Sequence, residues 1–597
     1  MEKRITRLFE VLDRAIELFG YKDDFLAAKQ NGTWIKYSPQ QYKEIATHLS
    51  LGLLSMGLKP GDKIATITNN RPEWNFIDMG VMQAGMIHVP IYTTITPEEF
   101  EHILSHSESE LVFVADRALY NKIKPIADKI KRIKNVYTFD EVEGAPNWKE
   151  IVELGKKADQ DLYNRLNAIK DSIKKDDLAT ILYTSGTTGL SKGVMLTHWN
   201  FIYQMELIPK YVDLTPDDVG LSFLPLSHSL ERVVNYAYQY IGVSTYYAES
   251  LTKLGDNLRE VRPTIFATVP RVLERVYDKI LAKGQQLEGT KRKLFFWALD
   301  LAKQYDLTGK GILYKTQLAL ADSIVFSQWR KAVGGRIRYI ISGGAKLEPK
   351  LARIFWGAGM KILEGYGLTE TAPVISVNNP VKGIKIGSVG PKLGDEQQVV
   401  LAEDGELLFK GPNLMVGYYK DEEKTREVID EDGWFHTGDI AKIDEDGFIY
   451  IVDRKKEIFK LSNGKYIAPQ PIENALQRSP FIEQAFVLGT NQKMPGVIIS
   501  VSHEALRNWA KQNNVEFTDI AELITRPEVK KLYRNEINEV NKQLGPYERV
   551  GVFRLVADQW SPTTGELSPT LKKRRRVLVE KYQDLINEMF AELEREY

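Results

Sequence analysis

The sequence has no cysteine. Disulfides, thiolate metal sites and cysteine nucleophiles are thereby excluded, and the absence fits a reducing, cytoplasmic setting. There is no net charge either, since 80 Lys and Arg offset 80 Asp and Glu. A balanced chain gives no electrostatic case for nucleic acid as a partner. No uncharged apolar run reaches the roughly 18 residues that a membrane-spanning helix needs. Met1 to Gly20 carries charges throughout and lacks the apolar stretch of a signal peptide. The chain is therefore expected to be soluble, or at most peripheral at the inner face of a membrane.

What is present suits a large folded core. The 597 residues are 43% hydrophobic, enough for one large domain and a smaller one. Ile5, Leu8, Phe9, Leu12, Ile16 and Phe19 share a helix face. The opposite face mixes charges of both signs, so this helix is expected to pack on the domain rather than lie on a membrane. Strand-like runs at 63–68, 88–92 and 111–115 alternate with helical stretches. One of these opens with Thr96-Pro97-Glu98-Glu99, a capping box with proline at the first helical position. The alternation predicts an α/β fold, layered sheets with helices on their faces. Residues 272–337 read as a helical insertion and 420–432 as a charged loop. The expected division is a large N-terminal domain over 1–452, a hinge at 453–456 and a small α/β domain over 457–597.

The most informative stretch is Leu182-Tyr183-Thr184-Ser185-Gly186-Thr187-Thr188-Gly189-Leu190-Ser191-Lys192-Gly193. Its glycines allow tight turns and close backbone approach to an anion, its hydroxyls donate, and Lys192 adds positive charge. Walker A spacing is not met, because Ser191 rather than glycine precedes the lysine. The loop resembles the signature of the adenylate-forming enzyme superfamily, which includes acyl-CoA synthetases, luciferases and peptide-synthetase adenylation domains.

Further motifs follow in the order that this superfamily shows: Leu224-Pro225-Leu226-Ser227-His228, Ser342-Gly343-Gly344-Ala345, Gly365-Tyr366-Gly367-Leu368-Thr369-Glu370-Thr371, Gly433-Trp434-Phe435-His436-Thr437-Gly438-Asp439 and Asp453-Arg454-Lys455-Lys456. The resemblance implies that Thr184 to Lys192, with Ser185, Gly186, Thr187, Thr188 and Gly189, bind phosphates. It assigns Gly344, Ala345 and Tyr366 to adenine, counts Gly367 among the nucleotide-binding residues, and assigns Thr369 to phosphate. Thr184 and Glu370 would hold Mg²⁺, Asp439 the ribose, and Arg454 the nucleotide, while His228 would line the acid and phosphate region. Gly464 would let the pantetheine arm of CoA pass.

The segment Ser568-Pro569-Thr570-Leu571-Lys572-Lys573 departs from the Gly-Lys that many relatives carry, yet it resembles the variant of long-chain fatty acyl-CoA synthetases. The adenylation lysine is accordingly expected at Lys572, with Lys573 as its rival. The resemblance implies ATP-driven activation of a long-chain fatty acid to its CoA thioester through an acyl-adenylate. It leaves open an aryl or branched acid, transfer to a carrier protein, a lipid-binding protein without catalysis, homodimerisation and peripheral membrane attachment.

Overall fold

The computed structural model describes residues 4–184 and 191–596. Ser185, Gly186, Thr187, Thr188 and Gly189 lie outside the described residues. Two large sheets form the N-terminal part. In one, the strands Lys63–Ile67, Ile87–Ile91, Ser109–Val114, Asn135–Thr138 and Leu178–Thr184 run parallel, and Lys192–Thr197 and Gly417–Tyr418 close one edge antiparallel. Every residue of Ser109–Val114 and Ile87–Ile91 is buried, as expected of parallel strands covered on both faces. The other sheet orders Val374–Val377, Ile362–Gly367, Tyr339–Ser342, Ile265–Thr268, Val219–Ser222, Ser244–Tyr247, Leu26–Gln30 and Thr33–Tyr37.

A third sheet of four antiparallel strands ends with Phe435–Ile443 and Ile449–Arg454. Asp453 and Arg454 are the last residues of that strand, and exposed Lys455 and Lys456 follow it. Beyond them the chain builds separate apolar cores around the sheet Ile482–Leu488, Gly496–Val501 and Val552–Val556.

The amino-terminal apolar face is buried as expected, with Leu8, Phe9 and Leu12 inside the main core. The insertion is helical, comprising Pro270–Gln285, Gly289–Lys303, Ile312–Ala321, a π-turn over Asp322–Phe326, and Ser327–Ala332. Two local expectations are corrected. The 420–432 stretch contains the helix Glu422–Val428, capped by Asp421, whose carboxylate accepts from the Lys424 amide. No residue of that helix is buried, so it leaves no apolar periodicity to read. At Thr96 only half of the capping box forms. The hydroxyl accepts from the Glu99 amide, but the Glu99 carboxylate turns to Arg574 and Ser191 instead.

Candidate active site

Thr184, Gly344, Ala345, Tyr366 and Gly367 lie at or just beyond the carboxyl ends of strands from the two large sheets, where α/β proteins commonly bind ligands, whereas Asp439 and Arg454 belong to the four-stranded sheet. Thr184 ends Leu178–Thr184 and pairs with Lys192, so the Gly/Thr-rich loop joins two antiparallel strands. Lys192 lies over the Tyr418 ring, 4.9 Å from its centroid. Burial and the nearby Lys424 and Lys456 lower its pKa, against Asp421 and Glu370. The Tyr418 hydroxyl donates to Glu370 Oε1 at 2.9 Å. One aromatic side chain thus positions both a phosphate-loop cation and the expected metal ligand. The sequence motifs did not single out Tyr418, which sits 48 residues from Glu370 on a two-residue strand.

Tyr339–Ser342 leads into Gly343, Gly344 and Ala345. Gly344 has φ +78°, a left-handed conformation that side chains disfavour, and it forms an exposed shelf with Ala345. On the neighbouring strand Ile362–Gly367, the Tyr366 hydroxyl donates to Asp439 Oδ2 at 2.6 Å. Asp439 Oδ1 meets Arg454 Nε at 3.1 Å, across a strand pair that aligns the two residues. Gly367 cannot carry a side chain, because a Cβ there would lie 1.7 Å from the Pro373 carbonyl. Thr369 and Glu370 belong to the following 3-10 turn, where the Thr369 hydroxyl is 3.4 Å from that of Ser229.

Ser229 begins the helix Ser229–Ile241, and His228 is its N-cap. His228 Nδ1 accepts from the Leu230 amide at 3.1 Å. The ring proton therefore sits on Nε2 and can be donated. Burial, and then the charge of Lys572, push the His228 pKa down to about 4, so the ring stays neutral near pH 7.

Lys572 enters from the C-terminal part of the chain. It stands on a tight turn in which the Ser568 amide donates to the Lys572 carbonyl and the Lys572 amide to the Ser568 hydroxyl. Leu571 has φ +61° and is exposed. Glycine adopts this left-handed geometry readily, whereas other residues do so at a cost of roughly 1–2 kcal/mol. A leucine thus holds here a backbone shape that glycine adopts more readily. The Lys572 side chain reaches solvent along the cleft, yet the surrounding protein and Arg454 lower its pKa to about 8, against Asp439, Glu457 and Glu370. Its rival Lys573 is turned away and paired with Glu473, 2.9 Å distant and buried within the C-terminal part. Gly464 lies at the exposed turn between Phe459–Lys460 and Tyr466–Ile467, with φ +82°. That turn is tied to its own surroundings through Leu461 and Gln492.

Beside His228, Leu230 borders a cavity of ≈ 60 Å³ whose walls are almost wholly apolar, including Tyr211, Val233, Ala237, Ile265 and Val374. These residues are scattered over two helices and two strands, so no sequence spacing announces the cavity. A second feature missing from the sequence reading is the ion pair of Arg574 with Glu99, at 2.7 Å. Its partners are 475 positions apart.

This constellation on this fold defines an adenylate-binding enzyme. The AMP-binding enzyme family matches residues 19–419 and the AMP-binding enzyme C-terminal domain matches 456–594, and the chain belongs to the AMP-binding enzyme family. It is 33% identical to the peroxisomal long chain acyl-CoA synthetase 7 of Arabidopsis thaliana over 590 residues, covering 95% of this chain and 83% of the relative. It is 32% identical to the long-chain-fatty-acid–CoA ligase FadD15 of Mycobacterium bovis over 570 residues, 94% of this chain and 93% of that one. The fold resembles the crystal structure of the anthranilate CoA ligase AuaEII in complex with anthranoyl-AMP, with TM-score 0.71, 18% identity, and coverage of 97% and 98% of the two chains.

Proposed function

We propose that this enzyme is a long-chain fatty acid–CoA ligase that forms AMP. One observation carries the reading. Lys572 electrostatically reaches His228 on the acid side and Asp439, Arg454 and Glu370 on the nucleotide side. In the first half-reaction a carboxylate oxygen attacks the α-phosphorus of ATP, the bond to the β-phosphate oxygen breaks, and pyrophosphate leaves. Two anions must approach each other, so the site needs positive charge at the reacting centre. Lys572 supplies it between carboxylate and α-phosphate, while Lys192 faces the leaving phosphates. The carboxylate is already ionised near neutral pH and needs no general base. Neutral His228 donates from Nε2 to an oxygen of the acid or the phosphate.

Asp439 offers its carboxylate to the ribose hydroxyls, with Tyr366 and Arg454 fixing its orientation. Gly344, Ala345 and Gly367 leave flat space for adenine, and Thr369 faces phosphate. The residues present also fit a magnesium ion. Glu370 keeps one carboxylate oxygen beyond the Tyr418 hydrogen bond, and Thr184 adds a hydroxyl. Among the described residues no cluster of three or more His, Asp or Glu could cage an ion. Mg²⁺ takes few protein ligands and shares phosphate oxygens and water. Bound there, it would offset phosphate charge as a Lewis acid.

In the second half-reaction the CoA sulfur attacks the acyl carbonyl, AMP leaves, and the thiol proton is released. We place the hinge for the accompanying rotation at residues 453–456, with 457–597 carrying Lys572 out and Gly464 in. Long-chain ligases as relatives support a fatty acid as the substrate. The test is pyrophosphate release with acids from acetate to oleate plus benzoate, with and without CoA. Release dependent on long acids, with AMP and acyl-CoA as products, is the expected result. Release with benzoate or acetate alone would discard the substrate, and no release with any acid would discard the activity.

A further inference from the structure

The helical insertion differs from the rest of the molecule in charge and in surface. Residues 272–337 hold twelve Lys and Arg against six Asp and Glu, a net +6 in a chain whose total is zero. Within it, Ile312–Ala321 is an unusual helix because both of its faces are apolar. Tyr314 and Leu318 pack inward on the main core, and the chain continues into buried Val325, Phe326 and Trp329. Outward, Ile312 is 85% exposed, Leu313 74%, Leu320 53% and Ile324 44%.

Spacing of one helical turn or two lines these side chains up, and Thr316, Ala319 and Ser323 fill the gaps between them. Lys315 is the only charged residue of the helix, Lys310 precedes it, Lys331 lies in the last turn of the insertion's last helix, and Arg336 follows that helix. The acids nearest in sequence are both paired, Asp306 with Arg353 and Asp322 with Arg330. An apolar helix face left in water marks an interaction surface. With a cationic rim and no free acid beside it, the face is complementary to an anionic bilayer: the apolar side chains enter the acyl boundary and the lysines reach the headgroups.

We propose that the outer face of Ile312–Ala321, with Ile324, docks this enzyme reversibly on anionic membrane surfaces. The inference deepens the fatty acid reading, because a long-chain acid partitions into bilayers and the docked enzyme would meet it there. The membrane contact itself is independent of catalysis and is tested without substrates. The full chain is sedimented with vesicles of phosphatidylcholine alone or mixed with phosphatidylglycerol.

Binding to the mixed vesicles is expected. It should weaken about a hundredfold in Leu313→Gln/Leu320→Gln, at roughly tenfold per apolar side chain. Lys315→Glu should cost about fivefold or more on the anionic vesicles and little on the neutral ones. Pyrophosphate release with detergent-delivered acid should be unchanged in all these variants. If wild type ignores the vesicles, or the double variant binds as well as wild type, the proposal is overturned. It is also overturned if wild type is a dimer in solution that the double variant dissociates, which would assign the face to a second copy. Absence of pyrophosphate release from wild type would instead count against the ligase reading and leave the vesicle result standing.

Discussion

Asp78 and Glu99 each bind an arginine from far along the chain, the first within the N-terminal part and the second between the two parts of the chain. Asp78 Oδ1 accepts from Arg232 Nη2 and sits against His88 Nδ1, both at 2.6 Å, and its other oxygen accepts from the Tyr236 hydroxyl. Arg232 also donates to Thr180, and His88 Nε2 meets Thr66. The side chains of Asp78, His88 and Arg232 are fully buried. Burial pushes the Asp78 carboxyl up, but Arg232 and His88 hold it below its usual range. This network joins the strand that roots the phosphate loop to the helix that carries His228.

Glu99 and Arg574, with side chains 11% and 18% exposed, instead join the two parts of the chain. The other ion pairs between those parts, Arg271 with Glu483 and Arg478 with Glu348, are more exposed. Buried polar networks hold one arrangement because breaking them strands a charge, whereas exposed pairs are nearly neutral and can re-form. On the proposed function, the buried network would hold the frame for ATP and the acid, and a few ion pairs would latch the part that brings Lys572.

The sharpest way to break this contrast is Arg232→Met. It leaves Asp78 buried without its main counter-charge, and a loss of about 3–5 kcal/mol in urea unfolding is expected. A loss under about 1 kcal/mol would mean that the network is not what rigidifies the frame. Lys572→Ala should do the reverse. Stability should be unchanged, while adenylation falls about 10²–10³-fold, the typical cost of one transition-state donor. Thioester formation from supplied acyl-adenylate should be retained. Lys573→Ala, which removes a cation already paired with Glu473, should leave adenylation within a few-fold of wild type, and equal losses in the two variants would undo the assignment.

Glu99→Gln tests the latch itself. A reduction of up to about fivefold in adenylation is expected, shrinking in high salt, with little change in thioester formation. Equal slowing of both half-reactions would point to local damage near Ser191 rather than to a latch.

The same contrast decides how much was legible in the sequence. Motif order revealed the residues proposed to touch nucleotide, because such motifs are short local runs, as in Gly365–Thr371. The alternation of strands and helices gave the layered α/β class, and apolar spacing gave the amino-terminal helix. Contacts that hold those runs in place were invisible, since Tyr418 with Glu370, Arg232 with Asp78, and Arg574 with Glu99 depend on which distant elements the fold apposes. The helix Glu422–Val428 was missed for a different reason: its stability comes from the Asp421 cap and not from burial. Glu99 misled for the converse reason, since its position fits a capping box while tertiary contacts claim its carboxylate.

The smallest expected effect concerns the Lys572 charge. The protein around it and Arg454 hold its pKa at about 8, so the ammonium begins to lose its proton just above neutral pH. Protonated lysine is the active form. In the free enzyme, kcat/KM for adenylation should therefore fall as pH rises through about 8, to about half its plateau at that pH. Saturating nucleotide adds phosphate charge that retains the proton, so the corresponding limb of kcat should move upward. His228, neutral down to about pH 4, should add no limb between pH 6 and 7. Pyrophosphate release must be followed without CoA, whose own thiol ionises near the same pH. Arginine stays charged throughout this range, so Lys572→Arg should be slower but flat through pH 8. A limb near pH 8 that persists in Lys572→Arg would belong to another group, and would separate the position of Lys572 in the cleft from any role for its charge.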